Sequence, residues 1–308
     1  MTQSAQWAAN RRGIELSRHW VSPVGPRSRW RKAILVRLLD LFGLGLRLTP
    51  LLAWGRRNAL DLRREEIEVA LPGLPPSFDG YRILHISDTH LDVLPELVAS
   101  ARRVLAGVDV DLLALTGDVH GAAPAPIAYS VDLLMQALQD VRVRGPRLAI
   151  LGNHDSVEMA ALLEEKGFDV LINRSRVIER GGERLRVTGL DDVHSFYTEA
   201  ARTAFDDHDG KDDGGECRIA LVHSAEMADF ADQAGYVLYL AGHTHAGQIC
   251  LPGGKPVFTQ LTRCQHAAVG LWRQGRMTGY TSAGLGVAYP PVRFNCRGEV
   301  TILTLRRA

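Results

Sequence analysis

Five short apolar runs in this chain each end on Asp, Asn or His, and that repetition limits what the chain can fold into more than any other feature. The first is Ile83-Leu-His-Ile-Ser-Asp-Thr-His90, where an apolar, β-branched strand opens into a loop at Ser87. Residues 111–116 lead into Gly117-Asp118, and residues 147–151 into Gly152-Asn153-His154-Asp155. Residues 218–222 lead into His223, and residues 237–241 into Gly242-His243-Thr244-His245. Further strands are expected at 67–71, 185–190 and 300–305, with helices at about 94–106 and 130–139. Strands alternating with helices predict a layered α/β domain, in which ligands gather at the loops beyond strand ends. Asp88 and His90 stand two apart, a spacing that in extended backbone aims both side chains at one cation. The glycines before Asp118, Asn153 and His243 suit a backbone that turns sharply to aim a ligand.

Imidazoles with carboxylate and amide oxygens, and no thiolate, suit Mn, Fe, Zn or Mg and exclude a site that demands sulfur. Cys217, Cys250, Cys264 and Cys296 form no Cys-x-x-Cys pair. They read as reduced, partly buried thiols, which favours a cytoplasmic location. Seven candidate side chains are too many for one tetrahedral ion and suit two ions sharing a carboxylate. Two ions ~3.5 to 4 Å apart clamp the attacking and leaving oxygens of phosphoryl transfer and lower the pKa of bound water. The expected chemistry is therefore hydrolysis at phosphorus. A formal net charge of +1 over 308 residues predicts no whole-protein field for nucleic acid.

Residues 1–62 differ from residues 63–308, which carry the α/β pattern. Residues 1–27 are polar and interrupted by Pro23, Gly25 and Pro26, and read as poorly ordered or loosely docked. Residues 29–54 are rich in Leu, Ile and Val, but Arg37, Asp40 and Arg47 break the ~20 apolar residues that a bilayer span requires. At about 100° per residue, Arg29, Arg37, Asp40 and Arg47 fall on one stripe of an amphipathic helix and leave a wide apolar face. Trp30 and Trp54 flank the segment, and Arg27, Arg29, Arg31, Lys32, Arg56 and Arg57 surround its ends. Two readings stand. The helix lies in an anionic membrane surface, or its apolar face packs on the domain or on another subunit. Pro50 should bend or end it. A secretory signal is disfavoured, because the apolar stretch begins far from the N-terminus and no clear small-residue cleavage site follows. Since every candidate ligand lies after Arg63, the site is expected to survive removal of the segment.

Asp88-Thr-His90, Gly117-Asp118, Gly152-Asn153-His154-Asp155, His223 and Gly242-His243-Thr244-His245 together resemble, in order, the motif set of calcineurin-like metallophosphoesterases. The phrases Phe78-Asp-Gly-Tyr-Arg-Ile83, Gly242-His-Thr-His-Ala-Gly-Gln248 and Pro290-Pro-Val-Arg-Phe294 are similar to the bacterial phosphodiesterase branch, which often carries an N-terminal membrane segment. The resemblance implies a four-layer fold, two mixed β-sheets flanked by helices. It implies one ion on Asp88, His90 and His245, another on Asn153, His223 and His243, and Asp118 between them. It further implies His154 as general acid for the leaving alkoxide, with Asp155 orienting it. The family often continues Gly-Asp-x-x-Asp where Gly121 stands here after His120, and neither is taken as a ligand. Ser224-Ala225 follows His223 where Asn-Pro is common in the branch.

Arg293 lies in a loop resembling one near the family's site, where its guanidinium is expected to hold a phosphate oxygen or make a surface salt bridge. His85, inside its strand, reads as a hydrogen-bonded core histidine. The acidic stretch at 205–216 reads as a solvated loop. The expected substrate is a phosphodiester or pyrophosphate, with a lipid-linked ester such as a UDP-linked acylated sugar (UDP-2,3-diacylglucosamine) or a phospholipid favoured by the N-terminal helix. A metal-bound scaffold without activity is the rival. Manganese is the favoured pair of ions, and the inner face of the membrane the favoured place. Oligomeric state is not legible.

Overall fold

The computed structural model describes residues 3–121, 124–206 and 216–308. Three helices come first, α1 (Gln3–Ser17), α2 (Arg29–Arg47) and α3 (Leu51–Leu60). The α/β region follows as β1 (Arg63–Leu71), β2 (Arg82–Ile86), α4 (Leu97–Leu105), β3 (Leu112–Thr116), α5 (Ile127–Leu138), β4 (Arg147–Ile150), α6 (Val157–Glu165), β5 (Asp169–Val170), β6 (Arg174–Arg180) and β7 (Glu183–Gly189). Then come α7 (Glu199–Thr203), β8 (Cys217–Leu221), α8 (Ala228–Gln233), β9 (Leu238–Ala241), β10 (Gly270–Gln274), β11 (Met277–Thr281) and β12 (Glu299–Arg307).

Two six-stranded sheets result, in the orders β1-β12-β2-β3-β4-β5 and β6-β7-β8-β9-β11-β10. Each is mixed. The runs β2-β3-β4-β5 and β7-β8-β9-β11 are parallel, while β12 lies antiparallel to β2, and β6 and β10 antiparallel to their neighbours.

Strand alternation distributes the core into layers, because successive side chains point to opposite faces. In β2 and β3, Leu84, Ile86, Leu113 and Leu115 join the layer beneath α4, α5 and α6 with Leu97, Leu134 and Leu163. Ile83, Leu112 and Ala114 face the other way and meet Val187, Ile219, Leu221, Leu238 and Leu240 between the sheets. Ala220, Val222, Tyr239 and Ala241 pack outward on Ala201, Ala228 and Ala231 of α7 and α8. Helices, sheet, sheet, helices make the four layers expected.

His85 shows what the alternation does to a polar residue. It is fully buried, with Nε2 2.8 Å from Thr116 Oγ1 and its ring edge-on to Tyr280. Burial lowers its pKa from 6.5 to about 3. The unfolded chain therefore carries one more proton between those values, and folding stability present above pH 6.5 is lost as pH falls toward 3, by up to about 1.4 kcal/mol per pH unit. His85→Gln, which retains a partner for Thr116, should flatten the fall in urea midpoint between pH 6 and pH 4. Equal slopes in the two proteins would place the acid sensitivity elsewhere.

Over the described residues 3–27, the N-terminus corrects the expectation that this stretch is poorly ordered or loosely docked. α1 docks against the domain through Arg11 and Trp7, and the strand pair Val21–Ser22 and Gly25–Pro26 follows it. A polar, Gly/Pro-interrupted stretch looks like a tail until its partners, more than 140 residues away, are known. Pro50 behaves as expected, separating α2 from α3. Asp207 to Gly215 of the acidic stretch lie outside the described residues.

Candidate metal centre

The parallel strands of both sheets deliver their following loops to one seam. Asp88 and His90 follow β2, Asp118 follows β3, and Asn153 and His154 follow β4. His223 follows β8, and His243 and His245 follow β9 from the second sheet. Asp88, His90 and His245 form one buried group whose potential ligand atoms all lie within 4.8 Å of one another, and Asp118, His223 and His243 form another. Asp118 touches both, with Oδ2 3.2 Å from His223 Nε2 and 3.7 Å from His90 Nε2, while Asp88 Oδ1 lies 3.4 Å from His245 Nε2.

The donor chemistry fits divalent cations. His90 Nε2, His223 Nε2, His243 Nε2, His245 Nδ1 and Asn153 Oδ1 are buried without a hydrogen-bond partner, although one such atom normally costs about 1–3 kcal/mol. His90 Nδ1 lies 2.9 Å from His120 O, and His223 Nδ1 2.8 Å from Thr116 O. A carbonyl only accepts, so each Nδ1 carries a proton and each Nε2 faces the site. Burial acts to lower the pKa of His223, but the Asp118 carboxylate outweighs it and holds it well above the usual value, so a cation taken by that Nε2 would displace a proton. Burial lowers the pKa of His90 to about 4 and holds His243 and His245 well below the usual value, so these rings are neutral, as ligation requires. Burial also raises Asp88 to about 6, opposed by His223. Asp118 differs. Burial acts to raise its pKa, but His223 and His154 outweigh it and hold the carboxylate well below the usual range.

Local backbone corrects one part of the spacing argument. Asp88 and His90 are not extended, since their φ values are 50° and 36°, and Asp118, His243 and His245 share the left-handed region at 53°, 70° and 51°. Each such residue costs on the order of 1–2 kcal/mol, which surrounding bonds offset at a functional site. Here those bonds include Asp88 N–H to Gly117 O at 3.0 Å, Thr89 N–H to Asp118 O at 2.9 Å and His243 N–H to Asp88 Oδ2 at 2.9 Å. Gly152 and Gly242 do not have positive φ. They serve close approach, because a Cβ there would collide with Asp118 and with Ser87 and Asp88.

Two expected roles change. Asp155 does not reach the imidazole of His154. Its oxygens accept from the backbone N–H groups of Asp118, Val119, His120 and Gly152 at 2.8 to 3.1 Å, so it ties the two loops that carry Asp118 and His154. Arg293 is fully buried, which corrects the expected surface salt bridge. Its guanidinium donates to the carbonyls of His245, Ala283, Gly284, Gly286 and Arg297, fixing the loop behind His245. His154 is exposed, its ring edge-on to His90 at 5.2 Å and its backbone N–H on Asp118 Oδ1 at 2.8 Å. Asp192, His194 and Glu226 complete the surroundings and were not singled out by the sequence reasoning. His194 lies with its ring 4.0 Å from that of His243 and its Nδ1 3.5 Å from Glu226. The signal was Asp191-Asp192-Val-His194 just past the strand at 185–190, another apolar run ending in Asp and His.

The profile of the family described as calcineurin-like phosphoesterase matches residues 81–247, more than half the chain and all seven candidate ligands. The chain belongs to this family. Among its curated relatives, the metallophosphoesterase YkuE of Bacillus subtilis is 28% identical over 243 residues, covering 76% of this chain and 82% of its own length. Phosphodiesterase YaeI of Escherichia coli is 26% identical, covering 73% and 82%. A transmembrane protein with metallophosphoesterase domain from Danio rerio is 28% identical over 86% of this chain and 62% of its own. The solved 5'-nucleotidase precursor from Thermus thermophilus aligns over 73% of this chain and 54% of its own at 16% identity, with a TM-score of 0.42. This phosphoesterase is thus a metal-dependent phosphoric ester hydrolase with two candidate metal-binding groups.

Proposed function

We propose that this calcineurin-like phosphoesterase hydrolyses a phosphodiester or pyrophosphate bond, favouring a lipid-linked substrate presented at an anionic membrane surface. The observation that carries the hydrolytic reading is the convergence of buried, unpartnered donor atoms around the ionised carboxylate of Asp118. Asp88, His90 and His245 would hold one divalent ion, Asn153, His223 and His243 the other, with Asp118 shared and manganese favoured. Bound there, such ions supply Lewis acidity toward a phosphoryl group and lower the pKa of a water. The chain's own residues do the rest. Carbonyls on His90 and His223 Nδ1 keep the rings oriented, Asp155 holds the Asp118 and His154 loops together, and exposed His154 gives its proton to the departing alkoxide oxygen.

The lipid preference rests on the surface of α2. Among the described residues no helix is long and apolar enough to cross a membrane. Leu46 packs on Val292 and Phe294, yet Trp30 (81% exposed), Ile34, Leu38, Leu41 (65%), Leu44 and Leu48 (83%) face outward. An apolar face so little covered by its own domain favours the interfacial reading over core packing. Leu251, Val257 and Phe258 are exposed too, in a loop whose Cys250 N–H bonds to Phe294 O at 2.9 Å. Exposed Arg29, Arg37, Arg47 and Arg57 against Asp40 supply the positive balance an anionic surface attracts, each cation contributing about 1 kcal/mol near it.

One experiment tests both parts. Metal analysis should find close to two ions per chain. Hydrolysis should be fastest on diesters or pyrophosphates, be abolished by chelation, and rise on anionic vesicles carrying a lipid ester relative to the same ester in neutral detergent. A single ion with full activity would sink the dinuclear reading, and equal rates on vesicle and detergent the membrane reading.

A further inference from the structure

The N-terminal segment reaches the metal centre from both sides. On one side Arg11 of α1 is 1% exposed and lies over the Phe196 ring at 4.0 Å. Its Nη2 donates to Gly152 O at 2.8 Å and to Asp155 O at 2.7 Å, the two ends of the tetrapeptide that carries Asn153 and His154. Nη1 pairs with the Asp191 carboxylate, whose second oxygen accepts from Trp7 Nε1 at 2.6 Å. Glu15 accepts the Val157 N–H at 3.1 Å and so holds the same loop where it enters α6. On the other side, Arg27 donates to Glu226 at 2.9 and 3.0 Å and to His194 O, and its Nη2 lies 2.8 Å from His194 Nδ1, with that ring against His243. Between the two arginines, Val21 N–H bonds to Ser195 O and Tyr197 N–H to Val21 O, so the chain is held along its course.

We infer that the segment from α1 to Arg27 is a positioning strap for the metal centre, Arg11 setting the Asn153–His154 loop and Arg27 setting His194 against His243. The inference rests on the metal-centre reading of those residues. Five guanidinium donors in a fixed fork suit Arg11 to this task, since it closes two carbonyls and a carboxylate around one buried plane that a point cation would not match. On this inference the site should not survive unchanged when the N-terminus is removed, contrary to the expectation from the ligands' positions in the sequence. The strap ends two residues before α2, so the surface helix and the loop that bears His154 are joined by a short braced connection.

The test uses the full chain. Arg11→Met alone would leave Asp191 as an unpaired buried carboxylate and threaten the fold, so the decisive variant is Arg11→Met with Asp191→Asn, compared with Arg11→Lys and with surface Arg102→Ala. Amide hydrogen exchange on metal-free protein, below each variant's unfolding midpoint, should quicken at least tenfold at Gly152 and His154 in the double variant and stay unchanged at β8 and β9. Manganese titrated into the same protein should bind about tenfold more weakly, in the range of an outer ligand's loss. Turnover should fall about tenfold with KM within twofold, and Arg11→Lys should recover part of each loss. Arg27→Gln should instead quicken exchange at His194 and Ser195. Unchanged exchange and manganese affinity in the double variant would overturn the strap, as would faster exchange spread evenly over both sheets. If the native protein proves not to bind two ions, the proposed function fails, while the exchange at Gly152 and His154 still decides the strap.

Discussion

Asp118→Asn is expected to remove the bound metal pair, leaving at most one ion, and to lower kcat about 10³-fold, the upper range for losing electrostatic stabilisation at a reacting centre. The substitution conserves shape and removes charge. Asp118 is the carboxylate near imidazoles of both groups, 3.2 Å from His223 and 3.7 Å from His90, and it is kept ionised against its own burial. Without that charge, two cations held by the neighbouring groups would lose the one carboxylate that lies near imidazoles of both. Its Oδ1 also accepts the His154 N–H, a bond that an amide oxygen still makes, so the loop should keep its place. Metal counting beside rate measurement checks this. Two retained ions with a rate within tenfold of native would show that Asp118 is not shared.

His154→Ala should behave differently. His154 is exposed at the site and is not among the buried groups that converge as ligands. Its removal should leave both ions in place and slow turnover ~10² to 10⁴-fold, the weight of general acid catalysis. The loss should shrink as the leaving group becomes a better one, since a stable alkoxide needs no proton at departure. A variant that sheds an ion, or that loses equally on good and poor leaving groups, would place His154 among the ligands instead.

Much of the site was legible because metal chemistry restricts residue types severely. Two carboxylates, an amide and four imidazoles at the ends of apolar strands have few uses other than holding cations at a strand terminus. Their order and their glycines could be read without knowing where the strands lie in space. Asp155 and Arg293 were less legible, since their types fit a catalytic role and a structural one equally well. In this fold both are spent on backbone groups, four N–H groups for Asp155 and five carbonyls for Arg293.

The sequence by itself determined the alternation of strands and helices, the layered fold and the candidate ligands, because hydrophobic periodicity and ligand type are local properties written along the chain. Tertiary structure decided that the two groups implied by the resemblance meet at one place, because His243 and His245 arrive from a different sheet than Asp88 and Asp118. It also decided the left-handed backbone that aims Asp88 and His90, and the docking of α1. Arg11 is one of 36 basic residues in the sequence. It becomes a buried brace only because Asp191, Gly152 and Asp155 meet around it from 141 to 180 positions away, a separation over which no local pattern carries information.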